Sequence, residues 1–363
     1  MSNQAQPPSA GSPAAGSPSD ASWDVEVLTG PVEPGTAAAV EALAEAAQTA
    51  DGAPPFSEET LLQLRRSRAG AGSVHAGSEH AGPKQLKLLC VWGPEGASEP
   101  ARQLLGAAVV VDEQPEHPDA GGELLTELAV HPDHRGSGIG AQLAASLSDT
   151  VLPESAAAQH RAWAHGGHPG APQLAQRFGW SPVRELWRMR LENSVELPHR
   201  PLPEGVQLRS FRPGADEQDW LRVNAQAFAD HPEQGRLGME DLAARMAEDW
   251  FDPAGFLLAW EGQTLLGFHW TKIHPAEAGE RLGEVYVVGI SPQAQGRGLG
   301  AALTLAGIEH LRSRQVDAVM LYVDAGNTAA VRLYQKLGFT VWTTDVQYAP
   351  ADQVTPKHAE QPE

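Results

Sequence analysis

Apolar positions recur along the chain in two rhythms, alternation and helical spacing, and one order of these rhythms occurs twice. The first pass opens with strand-like WDVEVLTG (Trp23 to Gly30) and then TAAAVEALAEAAQTADG (Thr36 to Gly52), alanine-rich and stopped by glycine. SEETLLQLRR (Ser57 to Arg66) predicts a second helix, with Ser57 as N-cap and acids behind it. LKLLCVW (Leu86 to Trp92), LLGAAVVVD (Leu104 to Asp112) and LLTELAVHP (Leu124 to Pro132) read as consecutive strands. The last runs into glycine-rich DHRGSGIG (Asp133 to Gly140) and a helical stretch. RAWAHGG (Arg161 to Gly167) is a strand, QLAQRFGW a short helix and turn, and VRELWRMRLE (Val183 to Glu192) a late strand. After proline-containing Asn193 to Gly205 the order restarts: strand VQLRSFRPG, two helices, strands GFLLAWEG and TLLGFHWTKIHP. Then come EVYVVGI (Glu284 to Ile290), QGRGLG (Gln295 to Gly300), helix AALTLAGIEHL, strand AVMLYVDAG, helix NTAAVRLYQKLGF and strand VWTTDVQYA.

Superposing the two glycine signatures sets Gly138 on Gly298 and Gly140 on Gly300, an offset of 160 residues. Pro132 then falls on Pro292 and Arg135 on Gln295; Gly179 falls on Gly338 at an offset of 159, and Gly106 on Gly267. A repeat this long is a duplicated domain rather than a solenoid. The expected organisation is a disordered tail over 1–22, a first domain over 23–192, a linker over 193–205, a second domain over 206–349 and a flexible tail over 350–363.

Composition narrows the partners. Lys plus Arg is 26 against 46 for Asp plus Glu, a net charge of −20, which argues against nucleic-acid and anionic-membrane binding. No apolar run nears the roughly 20 residues that span a bilayer, and the N-terminus lacks the basic-then-apolar pattern of a secretory signal. The single Cys90, in an apolar run, reads as a buried structural thiol in a reducing, cytoplasmic compartment. The 14 His residues have no ligand-like spacing, and His75 and His80 lack an acidic or Cys partner, so no metal is expected. The glycine stretches between strand and helix do suggest an anion site, where free backbone N–H groups and the positive end of a helix dipole converge. Neither half carries a full GxGxxG with a later acid, nor GxxxxGK(S/T).

The order of elements, RGSGIG and QGRGLG in the two halves, and the later Asn327, Ala330, Tyr334, Gly338, Phe339 pattern resemble the GNAT acyltransferases. The resemblance implies an α/β (α+β) fold: tandem duplicated GNAT domains, each a mixed central sheet flanked by helices. It also implies acetyl-CoA as co-substrate. In the second half its pyrophosphate would lie on the backbone of Gln295, Gly296, Arg297, Gly298, Leu299, Gly300 and Ala301; in the first, on Gly136, Ser137, Gly138, Ile139, Gly140 and Ala141. Its pantetheine arm would pair with Val288, Gly289 and Ile290, and with Leu128, Ala129 and Val130. Asn327, Thr328, Ala329, Ala330, Val331 and Arg332 would flank it.

LGFHWTKIHP, LYVDAGNTAAVRLYQKLGF and FADHPEQG, with DGAPPFSEE and WAHGG less sharply, are similar to the mycothiol synthase family. That family acetylates the cysteinyl amine of cysteinyl-glucosaminyl-inositol. The resemblance implies substrate contacts at Glu58, Glu233, Lys272, Glu284 and Tyr322, with Glu58 placing the substrate between domains. It makes Glu284 the base and Tyr334 the acid for the leaving thiolate, where acyl transfer to an amine needs both. The 160-residue offset puts Leu124 opposite Glu284, and the 159-residue offset puts Ala175 opposite Tyr334. With Glu284 grouped with Tyr286 and Val288, and Glu123 and Glu127 pointing away, the first half lacks both groups and is expected to bind acetyl-CoA without catalysis. The expected protein is a monomer acting on a small-molecule amine. Two other readings stay open: a two-domain GNAT enzyme for another amine, and a non-catalytic acetyl-CoA sensor.

Overall fold

A computed structural model describes residues 23–69, 85–94, 102–113, 122–152, 158–229, 234–276 and 279–354. The expected tail over 1–22, His75, His80, Glu233 and the last nine residues lie outside them.

The chain forms two compact units. The first holds β1 (Val25–Thr29), α1 (Pro34–Asp51), α2 (Glu58–Ala69), β2 (Gln85–Trp92), β3 (Leu104–Glu113), β4 (Glu123–Val130), α3 (Ile139–Ser146), β5 (Gln159–Ala164) and α4 (Gly170–Arg177). Its strands run in the order β1-β2-β3-β4-β5, antiparallel except for the parallel pair β4–β5. Alternation decides the two faces. Leu88 and Val109 join Val40, Leu43 and Leu64 of the α1–α2 layer, while their neighbours Leu89 and Val110 join Ile139 and Leu143 of α3. Truncating any of these fully buried leucines to alanine costs about 2–5 kcal/mol. The α1 helix starts on proline and stops where Gly52, at φ +72°, returns its N–H to the Gln48 carbonyl. Cys90 is buried and its thiol is pushed up to about 12, chiefly by desolvation, which leaves it inert.

The next strand, β6 (Trp180–Glu192), crosses from the first unit into the second at Ser181–Pro182. The second unit continues with β7 (Val206–Ser210), α5 (Glu217–Ala227), α6 (Met239–Met246), β8 (Phe256–Glu261), β9 (Thr264–Ile273), β10 (Leu282–Ile290), α7 (Leu299–Ser313), β11 (Ala318–Asp324), α8 (Thr328–Lys336) and β12 (Thr340–Pro350). Strands run β7-β8-β9-β10-β11-β6-β12, with β10–β11 parallel and β6 antiparallel to β11. One face is an aromatic layer in which Trp270 stacks on Phe256 at 4.3 Å and meets Trp220 edge-on at 5.6 Å. The other face packs on α7 and α8 through Leu305, Ile308, Leu311, Val331 and Leu337.

The units therefore divide at 181/182 and 347/348, not at the 193–205 segment that composition marks as a linker. Most of β6, which ends the first sequence repeat, is in the second unit, and Tyr348 onward is in the first. Nor are the first residues of the expected C-terminal tail loose. The Gln353 amide accepts from the His160 N–H at 2.7 Å and donates to the Ala158 carbonyl, so a polar segment is held by the edge of β5.

Candidate active site

Each unit builds the same strand-to-helix passage. After β10 the chain makes a single turn (Pro292–Ala294), extends at Gln295 and enters α7 through Gly298. Gly296 and Gly298 have φ +77° and +80°, and Gly136 and Gly138 ahead of α3 have φ +75° and +90°. A Cβ at any of the four would meet nothing within 4 Å, so conformation, not crowding, demands glycine there, and the space in front stays open. The first-turn amides of each helix, at Leu299, Gly300 and Ala301 and at Ile139, Gly140 and Ala141, have no intrahelical acceptor and aim outward. The arginines beside these loops are engaged elsewhere. Arg297 binds Glu261 at 2.7 Å, and Arg135 grips Asp51 with two bonds of 2.7 and 2.8 Å. The cradle is thus backbone and helix dipole.

Beside each cradle two parallel strands part. Pairing of β10 with β11 stops at Glu284–Met320, and that of β4 with β5 stops at Glu127–Trp163. Val288, Gly289 and Ile290 keep their bonds to β9, and Leu128, Ala129 and Val130 keep theirs to β3, so each segment presents one open edge. An open edge accepts an extended amide-bearing chain as an added strand. In the first unit the opening continues into a cavity of about 520 Å³, lined by Leu128 to Val130, Gly136, Gly138 to Ala141 and the α4 residues Leu174 and Ala175. An unpaired edge ending on an anion cradle fits the pantetheine and pyrophosphate of a coenzyme A thioester. Asn327 caps α8 by accepting the Ala330 N–H at 3.1 Å, which sets the first turn (Thr328, Ala329, Ala330), while Val331 is buried in the core and Arg332 is exposed.

The proton-transfer candidates stand on opposite faces of the second sheet. A bulge in β10 between Val285 and Val287 changes the expected facing. Val285 and Val288 pack with the α7–α8 layer, whereas Tyr286 and Val287 pack with the α5–α6 layer. Glu284, next to Val285, belongs to the α5–α6 face, so Val288 points away from it. Glu284 is 6% exposed; its Oε2 lies 2.7 Å from His274 Nε2, and its Oε1 bonds to no other described residue. Lys272 is directly opposite on β9, its ammonium 4.8 Å from the Trp250 ring and 5.7 Å from that of Tyr286. Tyr334 is on α8, in the other layer, edge-on to Phe339 at 5.7 Å. Burial pushes its phenol up to about 12, so it holds its proton at neutral pH. The parting of β10 and β11 is the opening between these faces: an amine on the Glu284 side can meet an acyl group whose sulfur departs on the Tyr334 side. Tyr322 is 44% exposed on β11, and Glu58 opens α2 in the first unit.

The same bulge corrects the comparison of the repeats. β4 pairs with β3 without a register shift, so beyond the bulge the counterpart of Glu284 is Leu125, not Leu124. The odd positions of β4 face the α1–α2 layer, equivalent to the Glu284 side, and Glu127 stands there at the last parallel rung, as Glu284 does. The first unit therefore does hold a buried carboxylate at its strand parting. Glu127 is 1% exposed, with Oε1 2.7 Å from His165 Nε2 and Oε2 accepting the Ser57 N–H at 2.9 Å. His274 and His165 escaped sequence reading because strand pairing alone brings each to its carboxylate.

A cradle, an open strand edge and a carboxylate at the parting define a GNAT-type acyltransferase, and the model of the acetyltransferase (GNAT) family matches residues 220–339. A tandem GNAT protein from the clavulanic acid pathway has the same fold, with TM-score 0.59 and 16% identity over 89% of this chain and 98% of that one. A mycothiol acetyltransferase of Paenarthrobacter aurescens is 50% identical over 333 residues, 90% of this chain and 96% of the relative. One from Thermobispora bispora is 50% identical over 317 residues, 87% and 96% of the two. The chain belongs to the mycothiol acetyltransferase family. Like other GNAT acetyltransferases it takes its acyl group from acetyl-CoA.

Proposed function

We propose that the second unit acetylates the cysteinyl amine of cysteinyl-glucosaminyl-inositol, releasing mycothiol and CoA. The observation that carries the chemistry is Glu284 at the last parallel rung, with Oε2 held and Oε1 open. Oε1 takes the proton of the substrate ammonium, directly or through water, and Tyr334 returns a proton to the departing sulfur. Val288 to Ile290 align the thioester arm, and the amides ahead of α7 hold the pyrophosphate. Lys272 and Tyr322, with Glu58 and Glu233, are the proposed contacts of the polyhydroxylated substrate, whose hydroxyls pair with charged partners. The first unit binds acetyl-CoA without turning it over: Ala175 lines its cavity where Tyr334 stands in the repeat. The enzyme works as a monomer in the cytoplasm; the reduced, buried Cys90 favours that compartment.

The test is CoA release with acetyl-CoA and cysteinyl-glucosaminyl-inositol. Glu284→Gln keeps the shape and removes the base, so kcat falls by about 100-fold or more. Near-normal turnover in that variant overturns the base assignment. A wild-type rate with cysteinyl-glucosaminyl-inositol no higher than with unrelated amines overturns the substrate.

A further inference from the structure

Both units place a histidine against the carboxylate at the strand parting, and they do so by different routes. His274 follows β9, the antiparallel neighbour of β10; its N–H extends that ladder to the Leu282 carbonyl at 2.9 Å, which delivers the imidazole over Glu284. His165 follows β5, the parallel neighbour of β4. The pairs have equal length, 2.7 Å, but differ in what remains. The Ser57 N–H closes the second oxygen of Glu127. No described residue closes the second oxygen of Glu284. A carboxylate about to take a proton only accepts hydrogen bonds, so Nε2 of His274 is the donor.

From this contrast we propose that His274 is the positioning residue of the second unit. Its Nε2–H pins Oε2 of Glu284 and thereby presents Oε1, and only Oε1, to the amine. The imidazole acts as a fixed donor, not as a second base. The first unit carries the same pair in a closed form, with both oxygens occupied, and that closure, besides the missing tyrosine, leaves it silent. The proposal rests on Glu284 as the base.

Orientation errors on the scale of an ångström cost about 100-fold in rate. His274→Ala should therefore lower kcat by about 10- to 100-fold while KM for each substrate stays within about three-fold. Glutamine can place an N–H near the Nε2 position, so His274→Gln should recover kcat to within about three-fold of wild type, a rescue that a relay needing imidazole would not show. In a Glu284→Gln background, His274→Ala should add no further loss. The side chain of His274 is 29% exposed, so little packing is at stake. Should His274→Ala fail to fold, His274→Asn, polar but too short, takes its place with the same expected loss. Wild-type kcat in His274→Ala, a glutamine variant no better than alanine, or a loss confined to KM would each overturn the positioning role. Full activity in Glu284→Gln would instead remove the reading beneath it, so the two failures are distinct.

Discussion

Gly307, in the middle of α7, offers a sharp quantitative test of how the cradle helix is seated. Glycine in a helix interior costs about 1 kcal/mol relative to alanine, so Gly307→Ala should stabilise an isolated helix by that amount. In the folded unit the outcome reverses. A Cβ at 307 would lie 2.0 Å from both Cε1 and Nδ1 of His269. That ring is fully buried on β9, with Nδ1 2.8 Å from the Leu303 carbonyl one turn back along α7, and burial pushes its pKa down to about 4. It cannot swing aside without giving up that bond, so sheet or helix must move. Overpacking costs about 1–3 kcal/mol, and a 2.0 Å approach belongs at or beyond the upper end. With the helix-propensity gain subtracted, Gly307→Ala should lose about 2 kcal/mol. In a His269→Ala background the obstacle is gone, and the same change should gain about 0.5–1 kcal/mol. The coupling of about 3 kcal/mol is far above the roughly 0.5 kcal/mol error of additivity. The assay is urea unfolding followed by tryptophan fluorescence, in which the buried Trp220 and Trp270 report on this unit. A Gly307→Ala protein as stable as wild type refutes the steric argument. A cost that persists without the ring shows that His269 is not the obstacle. His269 pairs across from Val288, so displacement of β9 should also raise KM for acetyl-CoA.

Two further expectations concern charge and backbone. Asp216 is 1% exposed; it is held by Arg209 at 2.6 and 2.8 Å and by the Arg212 N–H at 2.8 Å, and its carboxyl is pushed down to about 2, chiefly by Arg209. The folded pKa lies below the unfolded one, so this stability is present above about pH 4 and disappears as pH falls toward 2; the stability gap between wild type and Asp216→Asn should shrink by roughly 2 kcal/mol between pH 7 and pH 2, read from urea midpoints. Gly298 holds φ +80°, and alanine there carries about 1–2 kcal/mol of left-handed strain. Gly298→Ala should raise KM for acetyl-CoA by roughly ten-fold, while Gly138→Ala, equally strained in the first unit, should leave kcat within about two-fold; a matching kcat loss in both would contradict catalysis by the second unit alone.

The repeat and the glycine cradles are legible in the sequence, because each rests on local order: a period, a turn requirement, a helix start; the strand-edge segments, Glu284 and Tyr334 stand out only through the family resemblance. Two misreadings share one cause. The additional residue in β10 leaves no composition signal, since valine and tyrosine suit a bulge as well as a strand. It nonetheless turns Val288 away from Glu284 and shifts the counterpart of Glu284 from Leu124 to Leu125. Counting by twos across the bulge puts Glu127 on the wrong face. The histidines at 165 and 274 could not be found, because they reach their carboxylates across a sheet. The unit boundary is hidden from the sequence for a similar reason. The proline-containing segment after Glu192 resembles a linker, but membership is decided by strand pairing, and β6 pairs with β11.

That boundary has a consequence for synthesis. The first unit is assembled from the two ends of the described chain, and its strand β5 is bonded by Gln353. On the ribosome the residues before 182 emerge first, and the last segment of their unit arrives only after all of the second unit. A gene cut in the 193–205 segment would strand β6 with the wrong half and leave β5 without Gln353. Separable halves would have to be a continuous second unit from 182 to 347 and a first unit whose C-terminal segment is rejoined to it by a new linker.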